Sequence, residues 1–133
     1  MAESGLVTLS SAHDFATTLA RLQAALDAKG ITIFARIDHA AGAAGVGLDL
    51  RPTTLLVFGN PAAGTPLMQA AQTAGLDLPL KALVWQDADG TVRLSYNDPA
   101  WVAARHAIAG AVGPAVAAMQ TGLDALARHA TGG

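Results

Sequence analysis

Phe15, Leu19, Leu22 and Leu26 recur at spacings of four, three and four, which places them along one stripe of a helix. Ser11-Ala12-His13-Asp14, just ahead, resembles a capping box with Asp in the place of Glu. A helix is therefore expected to start from Ser11 and to end at Gly30, which tolerates the left-handed conformation. Strands are expected on both sides of it. Residues 6–9 alternate, and residues 31–38 set Ile31, Ile33, Ala35 and Ile37 against Thr32, Phe34 and Arg36. That is the pattern of a sheet covered on one face. Residues 53–58 form an unbroken apolar run, as in a central strand.

After the run come a glycine- and proline-bounded loop at 59–64 and a helix expected at 65–74. Thr65 is its expected cap, with Pro66 at the first helical position, where a missing N–H costs nothing. Residues 80–86 and 91–96 read as a hairpin across Asp87-Ala88-Asp89-Gly90. Asp98-Pro99 opens a helix that is expected to run to residue 108, and Val116, Met119, Leu123 and Leu126 mark a last one. One or two helical turns capped by Asp38 fit residues 39–47. The order β-α-β-(α)-β-α-β-β-α-α, with a late hairpin and two closing helices, argues for an α+β fold with a mixed or antiparallel sheet. It argues against a doubly wound parallel one.

Composition narrows the functional classes. The chain has 133 residues, of which 52% are hydrophobic and 14% charged, enough for a packed core in one domain over residues 1–133. It has no cysteine, which excludes thiolate nucleophiles, zinc–thiolate sites and disulfides and is compatible with the cytoplasm. Eight Lys and Arg residues, scattered along a chain of net charge −2, lack the basic footprint of a nucleic-acid binder. Neither a secretion signal nor a membrane span is expected.

Three segments carry candidate chemistry. Gly59-Asn60-Pro61-Ala62-Ala63-Gly64 has the G-x-x-x-x-G spacing of a phosphate loop between a strand and a helix, but Thr65-Pro66 stands where Lys-Ser/Thr belongs. Two readings remain: free N–H groups at Gly64 and Thr65 that receive a small anion, or a tight turn. Asp38-His39 offers a carboxylate beside a potential general base. Adjacent strand residues point to opposite faces, however, so Asp38 as a cap with His39 exposed is the simpler reading. Tyr96 and Asn97 end a strand, where Tyr96 is a proton donor to a ligand or packs with its hydroxyl at the sheet rim. Lys81, Arg51 and Arg36 flank strands as possible positive charges. His13, His39, His106 and His129 are too dispersed for a metal site. Arg105-His106 reads as helix surface, and no serine has a convincing His/Asp escort.

The phrases Arg51-Pro52-Thr53-Thr54, Phe58-Gly59-Asn60-Pro61, Gly64-Thr65, Leu78-Pro79-Leu80-Lys81 and Tyr96-Asn97-Asp98-Pro99 resemble the bacterial and archaeal family called domain of unknown function 302. The likeness runs over about residues 31–106, with an Ala/Gly-rich helical tail at 111–133. It implies a TATA-box-binding-protein-like fold, a curved antiparallel sheet backed by helices, and a homodimer. No activity, cofactor or nucleic-acid partner comes with it. The polar positions it shares are His39, Arg51, Asn60, Thr65, Lys81, Tyr96 and Asn97, which are expected to line one cleft if the strand ends converge. Two functions are weighed on this basis. One is a non-catalytic interaction protein that dimerises through its small-residue C-terminal helices. The other is a module or small enzyme for an anionic metabolite, with Gly64 and Thr65 receiving the anion, Lys81 or Arg51 pairing with it, and His39 as base.

Overall fold

The computed structural model describes residues 4–132. Five strands, β1 (Leu6–Ser10), β2 (Thr32–Asp38), β3 (Thr53–Gly59), β4 (Leu80–Gln86) and β5 (Val92–Asn97), form one sheet in the order β1-β5-β4-β3-β2. Every neighbouring pair is antiparallel. The helices are α1 (Phe15–Ala28), α2 (His39–Gly45), α3 (Pro61–Ala70), α4 (Pro99–Arg105) and α5 (Gly113–Thr131), with a 3-10 helix over Gln72–Leu76. The architecture is the expected α+β one, an antiparallel sheet backed by helices. β4 is the central strand. The apolar run in β3 lies between β4 and the edge strand β2.

One sheet face is buried. Leu56, Phe58, Val84, Leu94 and Tyr96 pack against the Leu19–Leu22–Leu26 stripe of α1 and against Leu123, Leu126, Ala127 and Ala130 of α5. A second cluster joins Leu67 of α3, Ala74, Ala103, Ile108, Val112, Val116 and Met119, and Leu80 touches both. The apolar face of α5 is therefore core and does not form an external interface.

Local chemistry shifts several boundaries from those expected. α1 is capped by Asp14, whose Oδ1 accepts from the Thr17 N–H at 2.7 Å. Ser11 instead accepts from His13 N and exchanges a 2.7 Å hydrogen bond with Thr18, so the helix begins at Phe15. α3 begins four residues before Thr65, and Asn60 is its cap. Pro66 sits inside α3, and the expected 65–74 helix breaks at Ala71, where the backbone turns extended before the 3-10 helix. α4 stops at Arg105 because Ala107 takes a left-handed φ of 58°.

In β2 the expected single apolar face is divided. A bulge between Ile33 and Ala35 makes Ile33 pair with buried Phe58, Ala35 with Val57, and Ile37 with Leu55. Ile33 thus packs toward the helices, while Ala35 and Ile37 join the opposite face. Arg36 turns to the helix side, where it donates to Gln23 Oε1 at 2.8 Å.

Candidate functional site

The register separates the polar residues expected to share a cleft. His39 follows directly after Asp38, which pairs with Thr54 at one end of the sheet. Arg51 lies at that end too, its Nε donating to the Gln86 carbonyl at 3.2 Å. Asn60, Lys81, Tyr96 and Asn97 lie at the other end, where Gly59 meets Thr32 and Phe58 meets Leu80. There they diverge again. Tyr96 faces the helices and is 9% exposed; burial, then the carboxylates of Asp124 and Asp98, push its hydroxyl above the ordinary phenol range. Asn97, paired with Leu6, is on the uncovered face. Lys81 Nζ folds back to donate to the carbonyls of Asp77 (3.3 Å) and Pro79 (3.1 Å).

The Gly59–Thr65 segment is a helix start with its own donors engaged. Asn60 Oδ1 accepts from Ala62 N at 2.8 Å, and the Asn60 carbonyl accepts from Ala63 N (2.9 Å) and Gly64 N (3.2 Å). Pro61 has no N–H to offer. Gly64 and Thr65 lie within α3, so the free N–H groups expected there for an anion are already spent. Two adjoining cavities, about 270 and 380 Å³, flank this helix and share Gly59, Asn60, Ala63, Leu80 and Met119. Small residues of α5, namely Ala115, Ala118 and Gly122, help keep the larger one open. These walls are chiefly apolar and suit a hydrocarbon better than an anion.

A polar cluster forms beside them around His106, which the sequence reads with Arg105 as helix surface. Asp77 leaves the end of the 3-10 helix, and His106 caps α4. His106 Nε2 and Asp77 Oδ2 are 2.6 Å apart, while His106 Nδ1 lies 2.9 Å from Thr73 Oγ1. Arg105 Nη1 donates to both Asp77 oxygens, at 2.9 and 3.1 Å, and its guanidinium stands over the Trp101 ring at 5.8 Å. The His106 side chain is only 7% exposed, that of Asp77 13%, whereas Thr73 is open to solvent. Nothing local in the sequence signals this cluster. Asp77 and His106 are 29 positions apart, and the turn after Ala71 had been expected to continue a helix. Among the described residues, no three His, Asp or Glu side chains come together as a metal site.

The uncovered sheet face is the third feature. Leu83 and Trp85 of β4, Leu55 and Val57 of β3, and Ile37 of β2 are apolar and only partly buried there. Trp85 lies across the face, its Nε1–H donating to Ser95 Oγ at 2.9 Å, and Ser95 in turn bonds Thr8 at 2.8 Å. Arg93 sits 6.0 Å from the Trp85 ring and pairs with Asp87 at 3.0 Å. Beyond α2, Val46, Leu48 and Leu50 are exposed by 74%, 64% and 49%.

Comparison with known proteins agrees with this architecture. The family profile "Domain of unknown function DUF302" matches residues 7–126. The chain belongs to that family. The match takes in α1 and most of α5, well beyond the 31–106 stretch marked by the sequence phrases. A crystal structure of an uncharacterized conserved protein of this family from Bacillus stearothermophilus superposes with a TM-score of 0.83 at 20% identity. It covers 95% of this chain and 98% of the other, and it shares the fold. Two curated relatives are 48% identical over 130 residues, or 98% of this chain. They are named "Fluoride-specific ion channel FluC 1", from Brucella suis biovar 1 (strain 1330) and Brucella abortus biovar 1 (strain 9-941). The chain spans about half the length of these relatives, 51% and 48%. No helix among its described residues is long and apolar enough to cross a membrane.

Proposed function

We propose that this member of the family is an interaction protein that works by pairing two copies through the uncovered sheet face. The observation that carries this reading is the apolar centre of that face, Leu55, Val57, Leu83, Trp85 and Ile37, which stays partly exposed while α1 and α5 pack on the other face. Five strands about 4.8 Å apart and six residues long offer a surface of about 24 by 20 Å. Side-chain relief and the exposed Val46–Leu50 segment enlarge this toward the ~800 Å² per partner of a standard interface. A symmetric dimer needs one self-complementary patch, and a net charge of only −2 opposes pairing weakly. On this reading the interface is the sheet face, in place of the C-terminal helices expected from the sequence.

Light scattering on the purified chain tests the reading. The expected result is a dimer that Leu83→Glu converts to a monomer with its circular dichroism unchanged. A monomeric parent chain, or a dimer indifferent to Leu83→Glu, overturns it.

The Brucella relatives favour a second reading, an accessory domain of a membrane ion channel. An ion channel needs a part that spans the bilayer. No helix among this chain's described residues is suited to this, so on this reading the named activity falls to the part of those proteins that the chain does not match. If the two halves also work together as separate chains, the unmatched half of the Brucella suis protein, reconstituted in vesicles, binds this chain. Vesicles that carry it and retain no more of the chain than empty ones decide against this reading.

A further inference from the structure

We propose that Thr73, His106 and Asp77 form a nucleophilic hydroxyl site that accepts acyl groups from activated esters or thioesters. The site is separate from the sheet face and does not depend on pairing of two copies.

The argument begins with histidine's two nitrogens, which cannot both carry a proton in the neutral ring. Asp77 Oδ2, 2.6 Å from Nε2, favours the proton on that nitrogen and leaves the lone pair on Nδ1. That lone pair faces Thr73 Oγ1 at 2.9 Å. A hydroxyl, a base within hydrogen-bond reach and a third group that orients the base are the defining parts of an activated nucleophile. Rigidity comes from the surroundings. Arg105 grips both Asp77 oxygens, and the Ile108 N–H to Ala103 and Ala107 N–H to Ala104 bonds lock the helix end that carries His106. Access is correctly distributed: the base is nearly buried, while Thr73 is an exposed residue.

The chemistry balances without any cofactor. Thr73 Oγ bonds to the acyl carbonyl carbon as its proton passes to His106 Nδ1. The carbon–oxygen or carbon–sulfur bond to the leaving group then breaks, and that group takes the proton from His106. Water, deprotonated by the same nitrogen, cleaves the acyl-threonine to a carboxylic acid and restores the Thr73 hydroxyl. Thr73 and His106 are the catalytic residues. Asp77 is a positioning residue that acts through His106.

p-Nitrophenyl acetate is the test probe, followed by nitrophenolate release and by mass mapping of the acetylated chain. The expected result is one acetyl group on Thr73, absent in Thr73→Ala and restored on the new hydroxyl in Thr73→Ser. His106→Gln is expected to slow the labelling by ~100-fold or more, the usual worth of a positioned general base. Asp77→Asn is expected to slow it in a chain of unchanged circular dichroism, which a purely structural role would not do. Acetyl groups confined to lysines and the N-terminus, or Thr73 labelling at the parent rate in His106→Gln, overturn the proposal.

Discussion

Ala107 holds a left-handed φ of 58°, where its Cβ crowds the following carbonyl. The position ends α4 in a double hydrogen-bonded turn, with Ile108 N donating to the Ala103 carbonyl and Ala107 N to that of Ala104. The strain of about 1–2 kcal/mol exceeds the extra backbone entropy that glycine loses on folding, about 0.5–1 kcal/mol. Ala107→Gly is therefore expected to raise stability by roughly 0.5–1 kcal/mol in urea unfolding. Gly5 is the opposite case. It combines a φ of +74° with a Cβ site that overlaps the Trp101 side chain, and its carbonyl receives the Asp98 N–H at 2.7 Å. Gly5→Ala should lose about 2–5 kcal/mol by the same measurement, from left-handed strain and overpacking together. Neither residue stood out in the sequence, because a backbone angle imposed by tertiary packing leaves no local pattern. The Asp98-Pro99 start was legible, since the Asp98 carboxylate satisfies Ala100 N in the very next turn.

At the scale of elements, the helix stripes were readable, as were the starts capped by Asp38 and Asp98, whereas the starts of α1 and α3 were not. Leu19, Leu22 and Leu26 of the α1 stripe are buried as spaced, but Ser11 and Asp14 competed for the cap, and Asp14 serves because Ser11 is taken by Thr18. The Thr17 hydrogen bonds hold the Asp14 carboxyl below its ordinary value. Its folded pKa is thus lower than its unfolded one, so the cap's contribution is complete above the unfolded value and disappears as pH falls through the folded one. Asp14→Ala should lower the urea midpoint at neutral pH, and the gap from the parent chain should close in acid below the carboxylate range. A gap that persists there would mean that Asp14 acts through shape and not charge. The edge strand β2 was the least legible strand, whereas the edge strand β1 lies where residues 6–9 alternate. The alternation of residues 31–38 suggested one face, and a single bulged residue moved Ala35 and Ile37 to the other. The phosphate-loop spacing at Gly59–Gly64 failed for a related reason. Asn60, inside the motif, caps α3 and draws Pro61–Gly64 into the helix.

For the whole molecule, the decisive question is what the C-terminal helix covers. Its small residues suggested a contact surface between subunits, yet Leu123, Leu126, Ala127 and Ala130 are all 4% exposed or less. The far end of α5 is tied to the start of α1: Ala12 N donates to the Thr131 carbonyl at 2.8 Å and Arg21 Nη2 to that of His129 at 2.6 Å. Leu126→Ala alone should cost about 2–5 kcal/mol, the range for a buried leucine. Losing residues 115–133 removes several such side chains together and exceeds the ~5–15 kcal/mol that holds a domain folded. The truncated chain is therefore expected to be unfolded or insoluble, with no cooperative melt. A truncated chain that melts cooperatively would show that the sheet and α1 suffice for folding and would return α5 to the role of an accessory surface. Leu83→Glu is the necessary contrast, because it changes the uncovered face and leaves the buried one intact. If the truncation unfolds the chain while Leu83→Glu only separates the copies, the two faces of one sheet have distinct tasks, one for stability and the other for association.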